Sequence, residues 1–274
     1  MSSKIELIDV AQTFQVRSDD DRTLHDFVAL DDLNLTVEAG ELLTLVGPSG
    51  CGKSTVLDLI SGLTRPTTGN VRANNVEVTK PGPDRGVVFQ QYTLLPWRTA
   101  IGNIEFALEA VGLNRRERTE QARHFLDLVG LSEFANRYPH ELSGGMKQRV
   151  AIARSLSYQP GVLLMDEPFG ALDAQTRERL QEQLLQIWHA TNTTIVFITH
   201  DIEEAVFLGQ RVVVMSARPG RITATIDIEL DIRSDDEDIR STPRFAEYRH
   251  HIWSLLRERT NRAPQLEEVH QIVA

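Results

Sequence analysis

The spacing of apolar residues changes several times along the chain, and each change marks a different kind of element. Near the start, Ile5 and Leu7 alternate with polar positions, as do Leu33, Leu35 and Val37. A period of two predicts half-exposed antiparallel strands. Between them, Ser18-Asp19-Asp20-Asp21-Arg22 reads as a polar stretch without a motif, inside a long loop over 13–27. Leu42-Leu43-Thr44-Leu45-Val46 is instead a nearly continuous apolar run, as in a strand covered on both faces. A helix follows with Val56, Leu59, Ile60 and Leu63 on one face, ended near Gly62 and Pro66. Val162-Leu163-Leu164-Met165 and Thr194-Ile195-Val196-Phe197-Ile198 are two more buried runs. Leu180, Leu184, Ile187 and Trp188 mark an amphipathic helix between them. Strands alternating with helices predict an α/β fold with a mostly parallel sheet covered on both sides.

Residues 91–158 break this alternation. They carry helical spacing and no buried strand, which predicts a helical lobe inserted into the core. Ile222, Ala224, Ile226, Ile228 and Leu230 then alternate with polar residues and predict a last, half-exposed strand. Ser234-Asp235-Asp236-Glu237-Asp238 reads as an acidic linker, and Phe245, Tyr248, Ile252, Leu255 and Leu256 form a helical stripe beyond it. The expected division is a core over 1–230 and a tail over 231–274, which has room to pack on the core, extend an interface or regulate.

Composition narrows the partners. The 274 residues carry a net charge of -10 and no basic tract, which argues against nucleic acid. Cys51 is the one cysteine, so no internal disulfide forms and a reducing compartment fits. The first residues lack the apolar stretch of a secretory signal, and no run approaches a membrane span. Any membrane function requires another subunit to supply the membrane part.

Chemistry concentrates after the first buried run. Gly47-Pro48-Ser49-Gly50-Cys51-Gly52-Lys53-Ser54-Thr55 matches G-x-x-x-x-G-K-[ST] between a strand and a helix, which is the context the phosphate-binding loop requires. Its glycines let backbone N–H groups turn towards phosphate oxygens, and the helix start adds positive dipole. Lys53 is placed to reach the β- and γ-phosphates of ATP, and the Ser54 hydroxyl to coordinate Mg²⁺. Cys51 sits beside a lysine and a helix start, both of which lower a thiol pKa. The alternative reading makes it a small residue that fills the loop, where alkylation would block ATP.

The run ending at Met165 leads into Asp166-Glu167-Pro168, so both carboxylates lie at the end of a parallel strand, where such sheets bind ligands. Asp166 is placed to hold Mg²⁺ and Glu167 to act as general base on water. Thr199-His200-Asp201 ends the next buried run. A neutral His200 there is placed to donate to the γ-phosphate. Asp201 reads as the N-cap of the next helix, with Glu204 completing a capping box.

Together with Leu142-Ser143-Gly144-Gly145-Met146, these residues resemble the ATP-binding cassette (ABC) family over nearly all of 1–230. The resemblance implies a P-loop NTPase core with an N-terminal antiparallel β-subdomain and an inserted helical subdomain. It also implies a dimer, either of two identical chains or of paired ABC subunits. In it, Ser143, Gly144, Gly145 and Met146 contact ATP held by the partner's P-loop. Met146 stands where the commoner pattern has Gln, which leaves the backbone and Ser143 contacts intact. Asp173 resembles the residue that links the two sites, Gln90 the glutamine that meets Mg²⁺, and Phe14 the aromatic that stacks on adenine, with Phe27 as its rival.

Leu94–Arg98, Phe169–Arg177, Asp201–Leu208 and Ala217–Ile222 resemble importer ATPases for nitrate, sulfonate and taurine. The implied function is ATP hydrolysis coupled to solute uptake through transmembrane permease subunits. An extracytoplasmic solute-binding protein acts indirectly, and this chain sits on the cytoplasmic face of the membrane. Trp97 reads either as the contact to the membrane partner or as an aromatic packed inside the lobe. The competing functions are a non-transport ABC ATPase acting on nucleic acid or ribosomes, and a regulatory ATP-binding module.

Overall fold

The computed structural model describes residues 2–17, 23–230 and 239–260, so the polar stretch 18–22 and the acidic stretch 234–238 lie outside the described residues. The main sheet contains β3 (Leu42–Val46), β6 (Arg85–Val88), β7 (Val162–Asp166), β8 (Thr194–Thr199), β9 (Arg211–Met215) and β10 (Ile222–Asp227). Their spatial order is β10-β9-β3-β8-β7-β6. All pair in parallel except β10, which runs antiparallel to β9. Every residue of β3 and β8 is buried, which is why their sequences are apolar without alternation.

Alternate side chains of this sheet enter two different cores. Leu43, Leu45, Leu164, Val196, Ile198 and Val213 pack with Val56, Leu59 and Ile60 of α1 (Lys53–Ser61). Beyond that helix lies a second sheet, ordered β2-β1-β4-β5 and antiparallel throughout: β1 (Ile5–Arg17), β2 (Leu24–Val37), β4 (Thr68–Ala73) and β5 (Val76–Glu77). Leu42, Val46, Leu163, Met165, Ile195 and Phe197 face the opposite way, into a core shared with the helices. These are α2 (Ala100–Ala110), α3 (Arg115–Leu128), α4 (Gly144–Ser157), α5 (Ala174–Thr191), α6 (Ile202–Leu208) and α7 (Pro243–Thr260). The first three pack on one another as the inserted lobe.

Several boundaries differ from the sequence reading. The long loop expected over 13–27 is largely a hairpin, because β1 runs to Arg17 and β2 starts at Leu24. Its outer half is solvent-exposed, so no buried face imposes an apolar alternation there. Leu63 does not belong to the buried face of α1. Gly62 ends that helix at φ 80°, and Leu63 beyond it is 55% exposed. The last strand stops at Asp227, so Ile228 and Leu230 only border the core.

Helix α7 carries the expected stripe, with Phe245 and Ile252 fully buried in the same core as α6. Arg240 places its guanidinium carbon 3.9 Å from the Phe207 ring centroid, and Arg249 pairs with Glu203 at 2.7 Å. Asp201 caps α6 as expected, accepting from the backbone N–H groups of Glu203 and Glu204. Glu204 does not complete a capping box. Its carboxyl turns inward and accepts from Gln181 Nε2 at 2.9 Å and from the Thr199 side chain.

Burial is the largest influence on Glu204 and pushes its pKa up. The native state therefore holds this proton at a pH where the unfolded chain has released it, and stability falls as pH rises through that window. Glu204→Gln removes the charge and keeps an acceptor for Gln181. At pH 8 it is expected to raise the thermal midpoint by about 2–4 °C, the shift produced by about 1 kcal/mol in a chain of this size. The gain should vanish as pH falls below the ordinary glutamate range. A midpoint difference that does not change with pH would show that Glu204 carries no such penalty.

Candidate nucleotide site

The carboxyl ends of β3, β7 and β8 converge on one edge of the main sheet, and each delivers one part of the site. From β3 the chain turns through Gly47, Pro48, Ser49, Gly50, Cys51 and Gly52 into α1, whose first residues are Lys53, Ser54 and Thr55. Gly50 and Gly52 take φ of 72° and 97°, a region that L side chains rarely adopt. Lys53 is 6% exposed, and its ammonium donates to the carbonyls of Gly47 at 2.8 Å and Pro48 at 3.1 Å. An ammonium has three donors, so a third remains for an anion above the loop.

The thiol of Cys51 does not behave as an activated group. Burial raises its pKa, outweighing the lowering by Lys53, and the residue is 1% exposed. This burial fits the loop-filling reading, and the access that alkylation needs is absent from this conformation.

Asp166 ends β7 and hydrogen-bonds the Ser54 side chain, so the carboxylate and hydroxyl already meet. Burial is the first cause raising the Asp166 pKa. The Glu167 charge adds to it, while the Ser54 bond and Lys53 oppose it. Asp58 on α1 is raised in turn by burial and by the Asp166 charge. Glu167 sits at φ 43°, a strained conformation for a side chain of its size, and its N–H is held by the Ile198 carbonyl at 2.9 Å.

His200, 63% exposed at the side chain, brings Nδ1 to 3.0 Å from Glu167 Oε2. An ionised Glu167 fixes the proton on Nδ1, so the neutral ring has already spent its one N–H. In this arrangement donation to a phosphate requires the imidazolium or a turn of the ring. Gln90 places its amide nitrogen beside Gly170.

The second cluster lies at the start of α4. Ser143 is the N-cap, and its Oγ accepts from Met146 N at 3.3 Å, which leaves the hydroxyl proton free to point outward. Gly144 lies against the Tyr92 hydroxyl and Leu172. A Cβ on Gly145 would fall 2.6 Å from Thr176 Cγ2, so any side chain there would have to displace Thr176 of α5. Met146 is half-buried and packs on the core. Asp173 caps α5 by accepting from Thr176 N at 2.9 Å, and that backbone bond holds its carboxyl below the usual range. Among the described residues, no hydrogen bond joins this cluster to the phosphate loop.

Phe14 and Phe27 stand directly opposite each other in the hairpin, with Phe14 37% exposed. Register therefore puts both rings on one face of the ribbon. Sequence reasoning assigns no role of its own to Arg177, the last residue of the resembling stretch Phe169–Arg177; it joins the Leu172 carbonyl at 3.1 Å to Asp201 at 3.3 Å and so ties the start of α5 to the His200 loop. Nor does it single out Tyr92, or give a role to Arg218, which enters only within the resembling stretch Ala217–Ile222, since no spacing marks either.

Magnesium prefers hard oxygen donors and is commonly held by one or two carboxylates together with phosphates. The Ser54 hydroxyl and Asp166 carboxylate meet that description. Among the described residues no cluster of three or more His, Cys, Asp or Glu forms an alternative metal site.

A phosphate loop, an acid pair at the next strand end and a separate glycine-started helix on this sheet define a P-loop ATPase of the ATP-binding cassette type. The sequence matches the ABC transporter family over residues 30–170, and the chain belongs to that family. It is 53% identical over 230 residues to an uncharacterized ABC transporter ATP-binding protein of Methanocaldococcus jannaschii, covering 84% of this chain and 85% of that one. It is 52% identical to the nitrate import ATP-binding protein NrtD of Synechocystis, covering 85% of this chain and 89% of the relative. It is 48% identical to the taurine import ATP-binding protein TauB of Rhizobium johnstonii, covering 86% and 90%. Among solved structures, a dimeric ATP-binding cassette in a post-hydrolysis state bound to ADP and Pi superposes with a TM-score of 0.70. That cassette is 34% identical, with 82% of this chain and 99% of the other covered.

Proposed function

We propose that this chain is one half of an ATPase dimer that drives a membrane importer from the cytoplasmic face of the membrane. The separation of the phosphate loop from the Ser143–Met146 cluster within one chain carries this reading. Each cluster is half of a site, and a second chain in opposed orientation completes both.

In the proposed cycle the loop from Gly47 to Thr55 holds the ATP phosphates, with Lys53 on the β- and γ-oxygens. Ser143, Gly144, Gly145 and Met146 of the other subunit close over the γ-phosphate, and Asp173 links the two sites. Ser54, Asp166 and Gln90 would hold magnesium, which when bound would neutralise part of the phosphate charge. Glu167 takes a proton from water as its oxygen attacks the γ-phosphorus. The bond to the bridging oxygen breaks, and ADP and phosphate leave. Loss of the γ-phosphate contacts removes what held the dimer closed.

Closure reaches the membrane through the inserted lobe. No described helix is long and apolar enough to cross a membrane, and in this reading a separate permease spans it. A groove of about 300 Å³, lined by Leu63, Phe89, Phe106 and Tyr158, opens between the lobe and the core. Trp97 is 70% exposed, at the tip of a turn fastened by the buried Asn103, whose side chain bonds the backbone of Leu95, Arg98 and Thr99. These rigidly presented aromatics form the docking surface for the permease, and Gln90 lies next to Phe89. The names of the relatives point to small solutes such as nitrate or taurine, and in this reading a solute-binding protein that never touches this chain delivers them.

Mixing two dead variants tests the shared site. Ser143→Arg chains and Lys53→Ala chains are each expected to lack turnover. Together they should regain it, because one of the two sites in the mixed dimer is intact. A mixture no more active than its components would refute the composite site.

A further inference from the structure

Between β9 and β10 the chain makes a short loop that touches both the phosphate loop and the aromatic hairpin. We infer that Arg218 in this loop is a positioning residue for the nucleotide base: it fixes the Phe14–Phe27 face of the β1–β2 hairpin against the tip of the phosphate loop. The inference rests on the reading that this face receives the adenine.

The loop is anchored at both ends. Gly220 N donates to Ala29 O at 2.9 Å, and Asp31 N donates to Gly220 O at 3.1 Å, so the loop is stitched along β2. Arg221 adds an ion pair to Asp31. Ser216 closes the loop on itself, donating to Pro219 O at 3.0 Å and accepting from Arg221 N at 3.0 Å.

From this base Arg218 makes two contacts. Its Nε donates to the Gly50 carbonyl at 3.0 Å, and its guanidinium carbon lies 5.1 Å from the Phe27 ring centroid. A Cβ at Gly50 would stand 2.7 Å from Arg218 Nη2, so the guanidinium lies directly on the loop. Neither contact is acidic, so neither neutralises its charge. A planar cation that donates at one edge and lies against a ring with its body suits this place, and a lysine does not combine the two. Phe27 faces the same way as Phe14, so fixing Phe27 relative to Gly50 sets the distance from the base-stacking ring to the phosphates.

The test uses the full chain. It measures kcat and KM for ATP and the inhibition constant of inorganic tripolyphosphate, which has no base. Arg218→Ala is expected to raise the KM for ATP about fivefold, with kcat and tripolyphosphate inhibition unchanged. Arg218→Gln, which keeps a donor for the Gly50 carbonyl but loses the cation, should behave likewise. In a Phe27→Ala background, Arg218→Ala should add nothing. Equal weakening of ATP and tripolyphosphate would overturn the proposal and make Arg218 a mere prop for the phosphate loop. An unchanged KM in both Arg218 variants, where Phe14→Ala does raise it, would overturn it as well. If Phe14→Ala and Phe27→Ala both leave KM unchanged, the base-stacking reading itself fails and takes the proposal with it.

Discussion

Glu167→Gln is expected to lower ATP turnover by about a thousandfold, within the range that a positioned general base contributes, while ATP binding stays near the wild-type level. Glutamine occupies the same volume and cannot accept the proton that water must lose. It also preserves the local structure, since its amide can donate to His200 Nδ1 across the 3.0 Å contact once the ring changes tautomer. The strained backbone at φ 43° is held by the bond to Ile198 and not by the side chain, so the substitution does not release it. The measurement is single-turnover phosphate release alongside ATP binding by calorimetry. Wild-type release with normal binding would remove Glu167 from the role of base.

The second large effect is on binding itself. Lys53→Ala is expected to weaken ATP binding by about ten- to a hundredfold, because the one ammonium donor left for the phosphates makes a charge-assisted contact of about 1.5–3 kcal/mol. The lysine also satisfies the carbonyls of Gly47 and Pro48, so the variant loosens the loop in the same stroke. Calorimetric titration with ATP reads the loss, and a circular dichroism spectrum confirms the fold. Undiminished affinity in a folded variant would exclude Lys53 from the phosphate site.

Much of this architecture could be read from the chain because the main sheet is buried on both sides. Strands such as Leu42–Val46 and Thr194–Thr199 have no solvent face, so their apolar runs stand out from the alternation around them. The phosphate loop and the acid pair were legible for a related reason, since strand ends fix where loops emerge. The outer hairpin was not legible. Its rings and charges face solvent, and only pairing with the neighbouring strand makes the segment a strand. Glu204 was misread because the local S/T/D-x-x-E pattern describes a cap, whereas the carboxyl finds better partners in Gln181 and Thr199 from other elements. Arg218 shows the same limit. A residue that acts by joining two distant segments leaves no periodic trace.

Cys51 has one further consequence. The chain has a single cysteine, and the structure seals it inside the turn that cradles phosphate. A thiol reagent therefore reacts only during the fraction of time that this turn opens. The labelling rate is the product of the opening equilibrium and the intrinsic reactivity of a free thiol. The protein thus carries a built-in clock for breathing of its own loop, readable by mass without adding any probe, and a bound nucleotide should slow that clock in proportion to how tightly it holds the turn shut.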